Sequence, residues 1–196
     1  MLTIASAPSV ALSLGRMPRF PLSLRYFWSP LERIRAKEKM KTLILGLGNP
    51  ILTDDAVGIR IAEELEQEFP DLAVTATSEA GLSLLEQVIG YDRLVIIDSI
   101  KTEKGKPGEL YKLELEDLKP TADFSSSHGV DIATAFKLGE GLGYKMPKQV
   151  SIYAVEIRDN TTFREKCTQE VEERIPFIVR QIIKEERLCK ISNRKS

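Results

Sequence analysis

The sequence predicts an α/β fold: a three-layer α/β/α sandwich around a predominantly parallel sheet that leaves room for a mixed strand. Three observations predict it. From Lys41 onward, short apolar segments of strand length alternate with longer segments whose apolar residues recur at helical spacing, the pattern of helices packed on both faces of a sheet. In Arg93-Leu-Val-Ile-Ile-Asp98, four consecutive apolar residues stand between polar ends, as expected for a central strand covered on both faces. The third is length, since 196 residues suffice for one well-buried core and are short for two independent ones.

Each element follows in chain order. Thr42–Leu47, TLILGL, reads as the first strand and runs into the loop Gly48-Asn49-Pro50. Asp54-Asp55 introduces a helix in which Val57, Ile61 and Leu65 repeat every four residues while Arg60, Glu63, Glu64 and Gln67 fill other faces, giving one apolar stripe to lie on a sheet. Pro70-Asp71 ends it, and residues 72–77 form a second strand. Residues 80–88 make a second helix with Leu82, Leu85 and Val88 or Ile89 inward, closed by Gly90, before the strand that Asp98 terminates. A polar loop over 99–108 leads to residues 109–115, whose polar/apolar alternation suits an exposed or edge strand. A helix over 129–139 lies inward through Val130, Ala133 and Phe136 or Lys137, and 150–155 is a further strand. The last helix spans about 168–188 with Val171, Ile175, Ile178 or Val179, and Ile182 inward; Pro176 inside it should bend or split it.

Residues 1–39 read differently, mixing Ser, Pro and Arg with scattered aromatics and sustaining neither period. They lack the basic n-region and clean small-residue cleavage site of a leader, so a flexible or dispensable basic extension before a domain of residues 40–196 is expected. Seven basic and two acidic residues give the extension +5, and the overall charge of -1 leaves -6 for the remainder. So mildly acidic a body has little to attract nucleic acid. No segment approaches the ~20 continuous apolar residues of a transmembrane helix, and stable membrane insertion is not expected. Cys167 and Cys189 lack the close pairing of a thiol redox or structural zinc site, and such sparse cysteine usage suits the cytosol.

Polar chemistry concentrates where apolar strands end. Asp54 and Asp55 follow the first strand and its loop, Asp98 closes the third, and His128, the one histidine, lies in Ser125-Ser-Ser-His-Gly129 before a helix. In open α/β sheets ligands bind beyond the carboxyl ends of the strands, where these loops would converge. Two carboxylates and an imidazole make an O,O,N set for a borderline divalent ion such as nickel or zinc, or a metal-free acid/base group. Simpler roles stand beside these: Asp98 ending a strand, Asp55 complementing a helix N-terminus, His128 stabilising a surface loop, and Asp54 capping the helix. Gly46 and Gly48 suit a sharp turn or close backbone approach, and Gly58 close packing at the first helix. Gly46-Leu-Gly48 is no dinucleotide fingerprint, because position 51 is Ile rather than the third glycine and two aspartates at the helix entrance would repel a pyrophosphate.

The run Gly46-Leu-Gly-Asn-Pro-Ile-Leu-Thr-Asp-Asp-Ala-Val-Gly58 resembles the opening signature of the hydrogenase maturation endopeptidases. The resemblance continues through Ile96-Ile-Asp98 and Ser127-His128 and covers Lys41 to the final helix. It implies an aspartyl-type endopeptidase that removes the C-terminal extension of a nickel-iron hydrogenase large-subunit precursor after nickel insertion. In that family the residue after the first aspartate of GN-x4-D-[DE]-x2-G, a later strand-end aspartate and a loop histidine contact the metal. They fall on Asp55, Asp98 and His128, which the resemblance makes both metal-contacting and catalytic. Nickel is then supplied in the substrate rather than permanently bound, the precursor is the partner, and the cytoplasm is the place, since processing precedes final assembly. Ala76-Thr-Ser-Glu-Ala-Gly81 departs from the glycine-rich acidic turn, often DGGT, of many members, which bears on the precursor recognised. The alternative is a non-catalytic binding protein that senses the nickel state of the large subunit. Gly-Leu-Gly-Asn-Pro also resembles the opening of bacterial peptidyl-tRNA hydrolases, but Ile51-Leu-Thr-Asp-Asp-Ala replaces the Thr-Arg-His-Asn segment those enzymes carry.

Overall fold

The structure, a computed structural model, describes residues 40–117 and 129–189. Residues 1–39, Ser125 to Ser127 and His128 lie outside the described residues. Among the described residues, β1 (Thr42–Leu47), β2 (Ala73–Thr77), β3 (Arg93–Ile100), β4 (Leu110–Leu113) and β5 (Gln149–Glu156) form one sheet in the order β2-β1-β3-β5-β4. The β1–β2, β1–β3 and β3–β5 pairs are parallel and β4 adds antiparallel to β5. The predominantly parallel sheet with one mixed edge strand is thus as expected.

The helices are α1 (Val57–Glu68), α2 (Leu82–Val88), α3 (Gly129–Gly141), α4 (Gln169–Glu172) and α5 (Ile175–Glu186). Strand pleating sends neighbouring side chains to opposite faces, and the apolar runs therefore feed two cores. Ile44, Val95, Ile97, Tyr153 and Val155 pack with Val57, Ile61 and Leu65 of α1, Val171 of α4, and Ile175, Ile178, Val179 and Ile182 of α5. Leu43, Leu45, Leu94, Ile96 and Ile152 pack on the other face with Leu84, Leu85 and Val88 of α2 and Ile132, Ala135 and Phe136 of α3. This is the three-layer sandwich that the four-residue apolar run of β3 required.

Pro176 splits the last helical segment, for it stands in the first turn of α5, where its missing N–H costs no helical bond. Three details depart from expectation. Leu82 begins α2 and faces solvent, leaving Leu84, Leu85 and Val88 as the inward side. Among the described side chains of α3, Ile132, Ala135 and Phe136 are buried, while Lys137 is exposed and Ala133 half-buried; that of Val130 lies outside the described ones. Asp98 does not terminate β3, which continues to Ile100 because β5 keeps pairing with it up to Ile100 opposite Glu156.

Close backbone contact sets how α1 lies on the sheet. A Cβ on Gly58 would stand 2.3 Å from the Leu47 carbonyl oxygen and 2.4 Å from that of Ile97, so the first turn of α1 rests directly on β1 and β3. At its far end, α5 is tied in by Glu186, 3% exposed. That carboxylate accepts hydrogen bonds from the Tyr153 hydroxyl (2.5 Å) and Lys112 (3.3 Å) and pairs with Arg93. One acid on the last helix thereby engages β3, β4 and β5.

Candidate active site

The connection from β1 to β2 runs through α1 on one face of the sheet, and that from β2 to β3 through α2 on the other. Winding reverses between β1 and β3, and the loops leaving these strands diverge, opening a crevice at their carboxyl ends. Pairing of β1 with β3 stops at Gly46 opposite Ile97, so Asp98, Ser99 and Ile100 project past it along β5. Asp55 follows β1 and Asp98 lies in this projection. The two aspartates singled out from sequence therefore flank the switch point.

The chain after β1 forms a tight turn. Gly48 has φ +147°, and a Cβ there would stand 1.9 Å from the backbone oxygen of Asp55, so only glycine lets the strand end pass the turn that carries Asp55. The Leu52 N–H donates to the Asn49 carbonyl (3.1 Å) and the Asp55 N–H to that of Leu52 (2.8 Å), leading into a 3-10 turn over Thr53–Ala56. Thr53 sits at φ +36°, a strained conformation for a β-branched residue. Contacts from residues far along the chain hold it. The Thr53 N–H donates to the Arg164 carbonyl (3.0 Å), and its hydroxyl donates to the Thr162 carbonyl (2.5 Å).

Asp54 completes this clasp. The expected helix cap is not its role, since neither the turn nor α1 has a side-chain cap. Wholly buried, it accepts hydrogen bonds at Oδ2 from the backbone N–H of Arg158 (3.1 Å) and Asp159 (3.0 Å) and from the Thr168 hydroxyl (3.1 Å), and at Oδ1 from the Thr168 N–H (2.6 Å). These donors belong to the segment between β5 and α4, which Asp54 binds to the turn. That segment is braced internally as well. Asp159 accepts from the backbone N–H groups of Thr162 and Thr161 and from the Thr161 hydroxyl, and hydrogen bonds from Thr162 and then Thr161 hold its carboxyl well below the usual carboxylate range.

Asp55 is differently placed. It is buried, at 6% exposure, yet its side chain takes one hydrogen bond among the described residues, at Oδ1 from the Ser99 hydroxyl (2.7 Å). The backbone N–H of Ser99 in turn donates to Asp98 Oδ1 (2.8 Å). One residue of β3 thus links both carboxylates. By the pleat, Ser99 lies on the α1 face with Ile97 while Asp98 lies on the α2 and α3 face with Ile96. On that second face α3 begins at Gly129, the residue after His128 in sequence.

The structure places Asp55 and Asp98 on either side of the switch point, each in a hydrogen bond with Ser99, and His128 lies outside the described residues. Among the described residues no group of three or more His, Cys, Asp or Glu is arranged to hold a metal ion. Carboxylates at a switch point can supply oxygen ligands to a divalent ion or a base to a water molecule. Ser99 was not foreseen from sequence. Its one signal is position, the residue after a strand-end aspartate on the alternate face. Cys167 is buried beside the clasp, and burial first, then the Glu172 and Asp54 charges, push its thiol up to about 12, which keeps it protonated and unreactive at neutral pH.

Comparison with known proteins bears on the chain as a whole. A family model described as hydrogenase maturation protease matches residues 59–185, an interval that opens just after Asp55 and contains Asp98 and His128. The hydrogenase 2 maturation protease of Escherichia coli (strain K12) is 33% identical over 120 residues, covering 59% of this chain and 73% of that protein. The solved structure of the hydrogenase maturating endopeptidase HybD from E. coli superposes with a TM-score of 0.65 at 29% identity, covering 76% of this chain and 93% of the other. The [NiFe] hydrogenase maturation protease HybD from Thermococcus kodakarensis superposes with a TM-score of 0.60 at 26% identity, over 74% of this chain and 98% of that one.

Proposed function

This chain belongs to the hydrogenase maturation protease family: it is an endopeptidase that processes the C-terminus of a nickel-iron hydrogenase large-subunit precursor, and we propose that it does so with Asp55, Asp98 and His128 once nickel is in place. The observation that supports the residue assignment is the link through Ser99, which joins Asp55 and Asp98 at the switch point of the sheet. Oxygen donors from the two carboxylates and a neutral imidazole from His128 make an O,O,N set that suits nickel. In this reading the ion is part of the substrate, carried in the precursor, and the three side chains read it by contact. A precursor without nickel gives them nothing to hold, which makes metal insertion the checkpoint for cleavage.

Hydrolysis needs a water molecule that loses a proton as it attacks the peptide carbonyl. In this reading a carboxylate of Asp55 or Asp98 takes that proton, and the ion in the substrate lowers the cost of forming hydroxide. Cys167 has no part in this scheme as a nucleophile, because it is buried with a raised pKa. The partner is the large-subunit precursor and the compartment is the cytoplasm, where processing precedes assembly. Among the described residues no helix is long and apolar enough to cross a membrane. Residues 1–39 take no part in the chemistry.

The test is the intact mass of the large-subunit precursor before and after incubation with the purified protein. Loss of the C-terminal extension from nickel-loaded precursor, and none from nickel-free precursor, is the expected result. Asp98→Ala and His128→Ala should stay folded and lose cleavage, and a chain beginning at Met40 should cleave like the full chain. Parent-like rates from both alanine variants would sink the residue assignment, and an unchanged mass with the parent protein would leave a non-catalytic sensor.

A further inference from the structure

Resting on the assignment of Asp55 above, we propose that Ser99 is a positioning residue: its hydroxyl clamps Asp55 by Oδ1 and so aims Oδ2 at the nickel and scissile bond of the precursor. Among the described residues, Asp55 is anchored at one oxygen alone. Ser99 donates to Oδ1 at 2.7 Å, and no described residue donates to Oδ2. The clamp is a hydroxyl-to-carboxylate bond, stronger than one between neutral groups, and it is removed from competing water because Ser99 is 3% exposed and Asp55 6%.

The clamp is also rigidly mounted. Ser99 lies opposite Val155 in the β3–β5 ladder, whereas Asp55 sits in a short 3-10 turn on the far side of the crevice. Without the hydroxyl, the Asp55 side chain could rotate within its pocket. The backbone N–H of the same serine holds Asp98 Oδ1 at 2.8 Å, so Ser99 fixes the two carboxylates relative to each other. Its place in the strand explains why that N–H is available. β1 stops pairing with β3 after Gly46 opposite Ile97, and the β1 side of the projecting strand has no ladder partner among the described residues.

A serine in this position could merely satisfy a buried hydroxyl, and the two roles differ in what they change. A packing role acts on the folded fraction. A positioning role acts on turnover, because the extensive contact with a protein substrate does not depend on the direction of one carboxylate oxygen. Residues that orient a ligand or catalytic group typically cost about 10–100-fold when removed.

The experiment compares kcat and KM for nickel-loaded large-subunit precursor, with thermal melts, across the full-length parent, Ser99→Ala, Ser99→Thr and Asp55→Ala. The expected result is a fall in kcat of about 10–100-fold in Ser99→Ala with KM nearly unchanged and the protein folded at the assay temperature. Ser99→Thr keeps the hydroxyl on a side chain that strands favour and should recover most of the rate. Parent-like kcat in Ser99→Ala alongside an inactive Asp55→Ala would overturn the positioning role and leave the Asp55 assignment standing. A loss in Ser99→Ala that Ser99→Thr does not recover, or that tracks the unfolded fraction, would also overturn it. Parent-like cleavage by Asp55→Ala would instead remove the assignment on which the proposal rests.

Discussion

Asp54 and Asp55 are the same residue type, adjacent in sequence and both buried, yet their hydrogen bonds differ in a way that fits a structural role for the first and the proposed chemical role for the second. Asp54 accepts three backbone N–H groups and a hydroxyl. In Asp54→Ala each orphaned N–H costs about 1–3 kcal/mol, so a loss of at least ~3 kcal/mol is expected, read as a lower midpoint in urea. Among the described residues Asp55→Ala orphans only a hydroxyl that is able to rotate, and its midpoint should stay within about 1 kcal/mol of the parent while precursor cleavage is lost. The chemistry proposed for Asp55 is legible in the sequence, because a carboxylate after a strand and a glycine turn carries the family pattern. The roles of Asp54 and Ser99 are not. Their partners come from positions 104 to 114 residues and 44 residues away, and nothing local marks a long-range acceptor or donor.

Elements were legible where one phase of the apolar pattern dominated. The stripe of Val57, Ile61 and Leu65 on α1 is fully buried, and the run in β3 feeds both cores. Ambiguity arose where apolar residues adjoin. Ile132, Ala133, Ala135 and Phe136 allow two phases for α3, and burial of Ile132 selects one. The seven residues of α2 make two turns, too few to reveal that Leu82 lies on the outer side. The extension of β3 past Asp98 depends on how far β5 accompanies it, a tertiary fact. The contact of α1 with the sheet yields a prediction opposed to helix propensity. Alanine favours a helix by about 1 kcal/mol over glycine, but a Cβ at position 58 would meet two backbone oxygens that cannot yield. Gly58→Ala should therefore destabilise the protein by about 3 kcal/mol, measured by urea unfolding.

Across the whole molecule, the three-layer architecture followed from alternating strand and helix patterns, whereas the ties that hold the layers in place did not. Glu186 shows why. On α5 it reads as one more surface acid in Lys184-Glu-Glu186, but it is buried against Tyr153, Arg93 and Lys112. Burial is the largest influence on its carboxyl and opposes ionisation. The Tyr153 hydroxyl, then the Arg93 and Lys112 charges, outweigh burial and set the pKa below the ordinary 4.5. A lowered folded-state pKa means that the contribution is fully present above 4.5 and is lost as pH falls through the folded value. Glu186→Ala should cost about 3–5 kcal/mol at neutral pH, and in urea melts over a pH series the gap from the parent should narrow below 4.5. A different kind of consequence attaches to the turn after β1. Its fixing partners, Arg164, Arg158, Asp159 and Thr168, are among the last parts of the described chain to be synthesised. While the ribosome is still adding β5, the turn that carries Asp55 has none of these partners, and its clasp can close only after most of the described chain has emerged.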